Sequence, residues 1–254
     1  MNIGTFEEEL CLLLTRYRSG EVTDSSGRVT NAKKHHALPA LLTRCMQLVT
    51  RRADRYSPTE RFASPLNVHP ATDCYYSLHA RDAVFGARHD AYSCRWNGTS
   101  IAHPEPETAA MAEALRWAIK SAAADPSEPV LTLLAMPVIE TAGHTQLLNH
   151  PLVQRLITIP RGHLRFTPAC YTNLGKRRLH HSYSAIELLL VANPAGIARH
   201  YRPEGVLAIT DELKALANSI NPSNSWTPTI AEPTPREVPA TVSLAGAFMR
   251  AQPE

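Results

Sequence analysis

The chain has 254 residues, of which 44% are hydrophobic and 19% are charged, so its composition excludes a protein that is disordered throughout. No apolar run is long enough to span a membrane and the first residues lack the pattern of a signal peptide, so we expect an intracellular protein, nuclear or cytoplasmic, with no membrane partner. The formal net charge of +3 is too small to identify a nucleic-acid binder by itself.

The N-terminal segment, residues 1–57, is predicted to be helical. Residues 5–17 place apolar side chains at helical spacing, with three acids in the first turn, where they favour the helix dipole. A polar stretch at residues 20–31 predicts a loop, and residues 38–56 repeat the helical spacing. We therefore expect a short helical preface to the rest of the chain.

Residues 58–221 alternate short extended stretches with helical ones and are predicted to form one domain. The predicted strands are residues 61–63, 74–78, 99–102, 130–136, 157–159, 164–166 and 186–191. The predicted helices are residues 108–124, 147–156 and 211–220. After them, residues 222–254 are rich in Pro, Ser and Thr, which predicts a disordered tail.

The order of these elements predicts an α/β fold. Strands that alternate with helices, followed by a late pair of strands, are the order expected of an α/β sheet, and a Rossmann-like parallel sheet that ends in an antiparallel hairpin is one arrangement that satisfies it. Ligands bind such sheets at the carboxyl ends of the strands. The loops that follow residues 63, 78, 102 and 136 should therefore open at one edge of the sheet.

Several motifs also follow one another in the order found in one known family. They are Phe62-Ala63-Ser64-Pro65-Leu66-Asn67, Tyr75-Tyr76-Ser77 with Asp82 and Phe85-Gly86, Gly98-Thr99-Ser100-Ile101-Ala102-His103-Pro104, residues 130–137, Ile159-Pro160 and residues 181–193. In this order they resemble the catalytic domain of the phosphorylated-CTD-interacting-factor family, known as cap-specific adenosine N6-methyltransferases that use S-adenosylmethionine. The resemblance spans residues 60–193, about half of the chain, and implies a class I methyltransferase sheet.

The resemblance implies a site for the methyl donor. In the family, the Phe-Ala-Ser-Pro-Leu-Asn loop lies at the end of the first strand beside S-adenosylmethionine, which implies that Phe62, Ser64, Pro65 and Asn67 border the donor. A loop stiffened by proline can replace the usual glycines if its backbone is preorganised toward the ligand. A tight turn that binds no ligand is the alternative interpretation of the same residues.

The family's catalytic signature is Asn-Pro-Pro-Phe. Its asparagine oxygen and a proline carbonyl accept the hydrogens of the adenine amine, while the phenyl ring stacks on the base. This chain has His103-Pro104-Glu105-Pro106 at that place. A neutral His103 can accept one hydrogen bond and Glu105 offers a carboxylate, but Pro106 cannot stack like a phenyl ring.

Two functions therefore remain open at this stage. One is an S-adenosylmethionine-dependent adenine N6-methyltransferase, either active or catalytically impaired, with His103, Pro104, Glu105 and Pro106 as its catalytic residues. The other is a domain that keeps the methyltransferase fold but only binds nucleic acid or a protein. The residue pattern is compatible with both functions and specifies no oligomeric state.

Residues 161–181 form the densest basic region, with Lys176, Arg177 and Arg178 at its centre. Such a cluster predicts phosphate contacts with RNA. A charged loop that discourages aggregation between sheet edges has the same composition.

The five cysteines include no CxxC pair, so we expect reduced thiols. Cys74, His79, His89 and Cys94 are spaced too widely for the tight ligand pairs of a structural zinc site. We therefore expect no metal.

Overall fold

The computed structural model describes residues 4–18, 21–23, 29–31, 36–37, 40–50, 58–168 and 180–220. The predicted tail at residues 222–254 and the basic cluster at Lys176, Arg177 and Arg178 lie outside the described residues. Within the described part of the chain, no helix is both long enough and apolar enough to cross a membrane.

The described residues of the N-terminal segment form two helices and three short strands. These elements are α1 (Phe6–Arg18), β1 (Glu21–Thr23), β2 (Val29–Asn31), β3 (His36–Ala37) and α2 (Ala40–Val49). Both helices lie where the helical spacing predicts them. α2 ends at Val49 and Thr50 forms an antiparallel bridge with Tyr201, so the predicted helix at residues 38–56 does not continue through residue 50. Residues 51–56 of that prediction lie outside the described residues. The predicted loop at residues 20–31 contains the strands β1 and β2, which pair antiparallel.

The remaining strands belong to one large sheet and one small one. They are β4 (Thr59–Glu60), β5 (Cys74–Ser77), β6 (Arg88–His89), β7 (Gly98–Ala102), β8 (Val130–Pro137), β9 (Val153–Ile159), β10 (Arg165–Pro168), β11 (His180–His181) and β12 (Ile186–Ala192). The small sheet has the order β11-β10-β3 and is antiparallel.

The large sheet has seven strands in the order β6-β5-β4-β7-β8-β12-β9. Neighbours from β6 to β8 pair parallel, whereas β12 runs antiparallel to both β8 and β9. Numbered by their order along the chain, these strands read 3-2-1-4-5-7-6, with the seventh reversed. This arrangement confirms the predicted α/β fold with a Rossmann-like sheet of the class I methyltransferase type.

Helices cover both faces of the sheet because its central strands are apolar on both sides. The later helices are α3 (Thr108–Ala123), α4 (Ala142–Leu148), α5 (Pro194–His200) and α6 (Glu204–Ile220). In β8, Leu131 and Leu133 pack into the core beneath α2 and α6, whereas Leu134 and Met136 pack into the core beneath α3. This alternation is the consequence of side chains that point to opposite faces along a strand.

Two further predicted elements differ from the structure. The predicted helix at residues 147–156 ends as α4 at Leu148, and β9 begins at Val153 because it pairs with β12 over most of its length. The predicted strand at residues 61–63 lies earlier, as β4. The chain bends there, although the amides of Arg61 and Ala63 still donate to neighbouring strands. Helix α5 is not predicted from the sequence.

Candidate functional site

The two motifs singled out in the sequence begin at the same edge of the sheet. The parallel strands β4 and β7 pair with Thr59 opposite Ser100 and Glu60 opposite Ile101. One residue further, the amide of Arg61 donates to the carbonyl of Ile101 at 3.0 Å. The hexapeptide at residues 62–67, hereafter the donor loop, therefore follows one strand, and the tetrapeptide at residues 103–106, hereafter the acceptor loop, follows its neighbour.

The donor loop is closed by its own side chains. Asn67 Oδ1 accepts from the Ser64 amide at 2.6 Å and from the Ser64 hydroxyl at 2.7 Å. The amides of Asn67 and Val68 donate to the Ser64 carbonyl, which closes the turn from the backbone as well. Both side chains are buried. These bonds give the loop one preorganised conformation.

This closure specifies what the donor loop can offer to a ligand. The Ser64 hydroxyl and Asn67 Oδ1 are engaged with each other, whereas Phe62 and Pro65 are only half-buried. The apolar surfaces of Phe62 and Pro65 and the loop backbone are therefore the groups that can contact a nucleoside. Donor contact by Phe62, Ser64, Pro65 and Asn67 stays a prediction.

Glu60, the last residue of β4, holds the chain that follows the donor loop. Its carboxylate accepts from the His69 amide at 3.0 Å and from the Thr72 hydroxyl at 3.5 Å. The residue is 3% exposed. Burial raises the pKa of Glu60 to about 7, although the bonds from His69 and Thr72 act in the opposite direction.

The four residues of the acceptor loop differ in how far they are buried. His103 is half-buried and has an interaction partner, Pro104 is buried, and Glu105 and Pro106 are exposed. The Glu107 amide donates to the Glu105 carbonyl at 2.8 Å, and α3 begins directly after this turn. The exposed members thus supply a carboxylate and a proline ring. Catalysis by these four residues stays a prediction.

Two residues that the sequence analysis missed lie at the same edge. Leu78 follows β5 and is 75% exposed, so its apolar side chain is accessible at this edge. Asp90 follows β6 with a φ of 51°, a backbone region that few residues other than glycine adopt. The Asp90 amide donates to the Ser77 carbonyl at 2.8 Å, and its carboxylate accepts from the Tyr92 amide at 2.9 Å. Only the position of Leu78 after a strand was available as a signal in the sequence.

Two aromatic side chains pack against Phe62, the first residue of the donor loop. The Phe62 ring lies 5.5 Å from Tyr92 and 5.7 Å from Trp96, measured between ring centroids. Trp96 is fully buried and donates from its indole nitrogen to the Ala91 carbonyl. Its ring therefore belongs to the core, whereas Phe62 and Tyr92 are half-buried.

The helix α1 is joined to this edge by two ion pairs. Arg16 bonds the buried carboxylate of Asp82, and Arg81 bonds the buried carboxylate of Glu9. Asp82 also accepts from the hydroxyl of Ser77, the last residue of β5. The N-terminal segment therefore fixes the loop between β5 and β6.

Within the described residues, no group of three or more His, Cys, Asp or Glu side chains is placed to hold a metal ion. The predicted RNA contacts of Lys176, Arg177 and Arg178 lie outside the described residues and stay a prediction.

Comparisons with known proteins identify no family. No family model matches the chain, and no curated protein matches it. One solved structure, precorrin-6y C5,15-methyltransferase from Geobacter metallireducens GS-15, is similar over 68% of this chain and 97% of that chain, with 8% identity and a TM-score of 0.34. At that TM-score the similarity supports no argument about function. The fold assignment depends on the strand order of the large sheet.

Proposed function

We propose that the chain is an S-adenosylmethionine-dependent methyltransferase-like protein, related to the mRNA cap adenosine N6-methyltransferases, with impaired catalysis. One observation supports the proposal above all others. Glu60 pairs with Ile101, so the donor loop and the acceptor loop follow neighbouring parallel strands. Both loops therefore lie at the carboxyl ends of these strands, the edge at which ligands bind sheets of this kind.

The residues at this edge match the chemistry of the methyl donor. S-adenosylmethionine carries an adenine ring with apolar faces, ribose hydroxyls and a sulfonium that supplies the methyl group. Leu78 and Phe62 offer apolar surfaces to the adenine, and the Asp90 carboxylate can accept from a hydroxyl or an amine. The closed donor loop spares the cost of ordering its backbone when a ligand binds.

The acceptor loop accounts for the impaired catalysis. An adenine amine is a weak nucleophile, so a methyltransferase has to orient it and accept its hydrogens. His103 and Glu105 can accept those hydrogens, and the exposed Glu105 is free to approach a base. Pro106 has no aromatic ring to hold the base in a stacked position. We therefore expect donor binding to exceed catalysis.

Calorimetric titration with S-adenosylmethionine tests the donor site. The parent protein should bind it and should gain thermal stability in excess donor. Leu78→Glu should abolish binding because it puts a charge against the adenine, whereas Leu207→Glu is the matched control, since Leu207 is 61% exposed on α6. If the parent shows no heat and no stabilisation, the donor site is refuted.

A second experiment tests the acceptor loop. The triple variant His103→Asn, Glu105→Pro, Pro106→Phe restores the family signature and should raise methylation of a capped adenosine oligonucleotide above the parent's level. The measurement is transfer of labelled methyl groups at saturating donor. A variant that binds the donor but transfers no more than the parent contradicts the relation to adenine methyltransferases.

The exposed Pro106 also favours a second function. A domain that keeps the fold and only binds nucleic acid or a protein needs no stacked, oriented base. This alternative is supported if the parent and the triple variant both bind the donor but transfer very few methyl groups.

A further inference from the structure

Arg61 is a buried cation with an unusual set of neighbours. It lies between β4 and the donor loop and is 3% exposed. Its Nε atom donates to the Ser100 hydroxyl at 3.0 Å, and Nη1 lies 3.8 Å from the sulfur of Cys94. The guanidinium carbon lies 5.0 Å from the ring centroid of Tyr76 and 5.4 Å from that of Trp96.

A second arginine approaches the same phenol. The guanidinium carbon of Arg88 lies 6.0 Å from the centroid of the Tyr76 ring, and its Nη1 atom lies 3.4 Å from the Tyr76 hydroxyl. Arg88 is exposed on β6. The Tyr76 hydroxyl also accepts from the thiol of Cys94 at 3.1 Å. Two positive groups therefore converge on one tyrosine.

Among the described residues, no carboxylate lies within 4.0 Å of a nitrogen of Arg61 or Arg88, so neither cation has a counter-ion in that part of the chain. The carboxylate of Glu60 is instead bonded to His69 and Thr72. Burial lowers the pKa of Arg61, as expected for a cation that has lost water without gaining a counter-ion. Aromatic faces and neutral acceptors offset part of that cost, but an oxyanion would offset more.

We propose that Arg61 and Arg88 form a phosphate-binding subsite beside Tyr76. Guanidinium groups recognise phosphate through paired hydrogen bonds. A phosphate bound here would supply the counter-ion for both arginines. The subsite directly precedes Phe62 in the chain, so it adjoins the donor loop. It takes either the backbone phosphate of a nucleic acid or a small phosphate compound, and it does not depend on donor binding.

Thermal unfolding with inorganic phosphate, in the absence of S-adenosylmethionine, tests the subsite. At constant ionic strength, phosphate at about ten times its Kd should raise the Tm of the parent by about 3–6 °C relative to chloride. Arg88→Gln should lose this shift and still fold, because Arg88 is exposed. The matched control, Arg116→Gln, removes an exposed arginine that is paired with Glu113, and it should keep the shift. Arg61→Lys retains the positive charge but loses the paired N–H donors of the guanidinium, so this variant should show a smaller Tm shift.

Binding of a labelled oligoribonucleotide at several salt concentrations distinguishes the two sources of phosphate. If the nucleic acid uses the subsite, Arg88→Gln should lower the salt dependence by about one phosphate contact. If phosphate stabilises the parent but the slope is unchanged, the subsite serves small phosphate compounds. Equal Tm values in phosphate and chloride for the parent, or an unchanged shift in Arg88→Gln, overturn the proposal. Because the donor is absent throughout, its failure and that of the donor site are separable.

Discussion

The Nη2 atom of Arg16 lies 2.6 Å from Oδ1 of Asp82, whose side chain is fully buried. The other oxygen of Asp82 accepts from the Ser77 hydroxyl. One carboxylate therefore joins α1, the end of β5 and the 3₁₀ helix Ala80–Phe85.

Removing Arg16 should destabilise the protein markedly. Arg16→Met leaves the Asp82 carboxylate buried without its cation, which should lower the free energy of unfolding by about 2–4 kcal/mol. Urea denaturation measures the change. Arg116→Met, which breaks the exposed pair with Glu113, is the control and should cost less than about 0.5 kcal/mol. Equal losses in the two variants would show that the Asp82 pair is no more important than a surface pair.

Glu60 should make stability fall as the pH rises. Its pKa in the folded protein is raised from 4.5 to about 7 by burial, so the folded state favours the protonated carboxyl. The stability linked to this preference is fully present below pH 4.5 and is lost as the pH rises through 7, by roughly 3 kcal/mol in total.

Comparison of the parent with Glu60→Gln isolates this effect. Glutamine does not titrate and can still accept from His69. Urea denaturation at pH 5 and pH 8 should show that the variant gains stability relative to the parent at the higher pH. A difference between the two proteins that does not change with pH contradicts the raised pKa of Glu60.

Opening the donor loop should weaken donor binding more than it weakens the fold. Ser64→Ala removes the hydroxyl that bonds Asn67, so the loop has to be ordered when the ligand binds. We expect S-adenosylmethionine affinity to fall about tenfold, as measured by calorimetry. Ser127→Ala removes a similar hydroxyl bond to Asp125, in the loop that precedes β8, and should leave affinity unchanged. A parallel loss in both variants would indicate a general effect of stability.

Gly196 should not tolerate a side chain. A Cβ at this position of α5 would overlap the Val130 carbonyl, so Gly196→Ala should cost about 2–3 kcal/mol through overpacking. The control is Gly143→Ala in α4, where a Cβ meets nothing within 4 Å. That variant should gain about 0.5–1 kcal/mol because alanine favours a helix. Thermal and urea unfolding compare the two, and a tolerated Gly196→Ala would contradict the close packing of α5 on β8.

Local patterns were sufficient for the elements with strong internal signals. The apolar run at residues 130–136 predicted β8, and the helical spacing with flanking prolines predicted α3, because both elements bury their own side chains regularly. The pattern failed at residues 147–156, where Leu152, Val153 and Leu156 suit a helix and a strand equally well. Pairing with β12 decided that case, and pairing depends on residues distant in the chain.

The amino-acid sequence by itself determined the α/β class of the fold, the elements β8 and α3, and the positions of the donor loop and the acceptor loop along the chain. Only the tertiary structure decided that Glu60 lies opposite Ile101, that Leu78 is exposed, and that Arg61 and Arg88 meet at Tyr76. The physical reason is that hydrophobic periodicity reports which face of an element is buried. It carries no information about which strands become neighbours or which charges are left without a counter-ion.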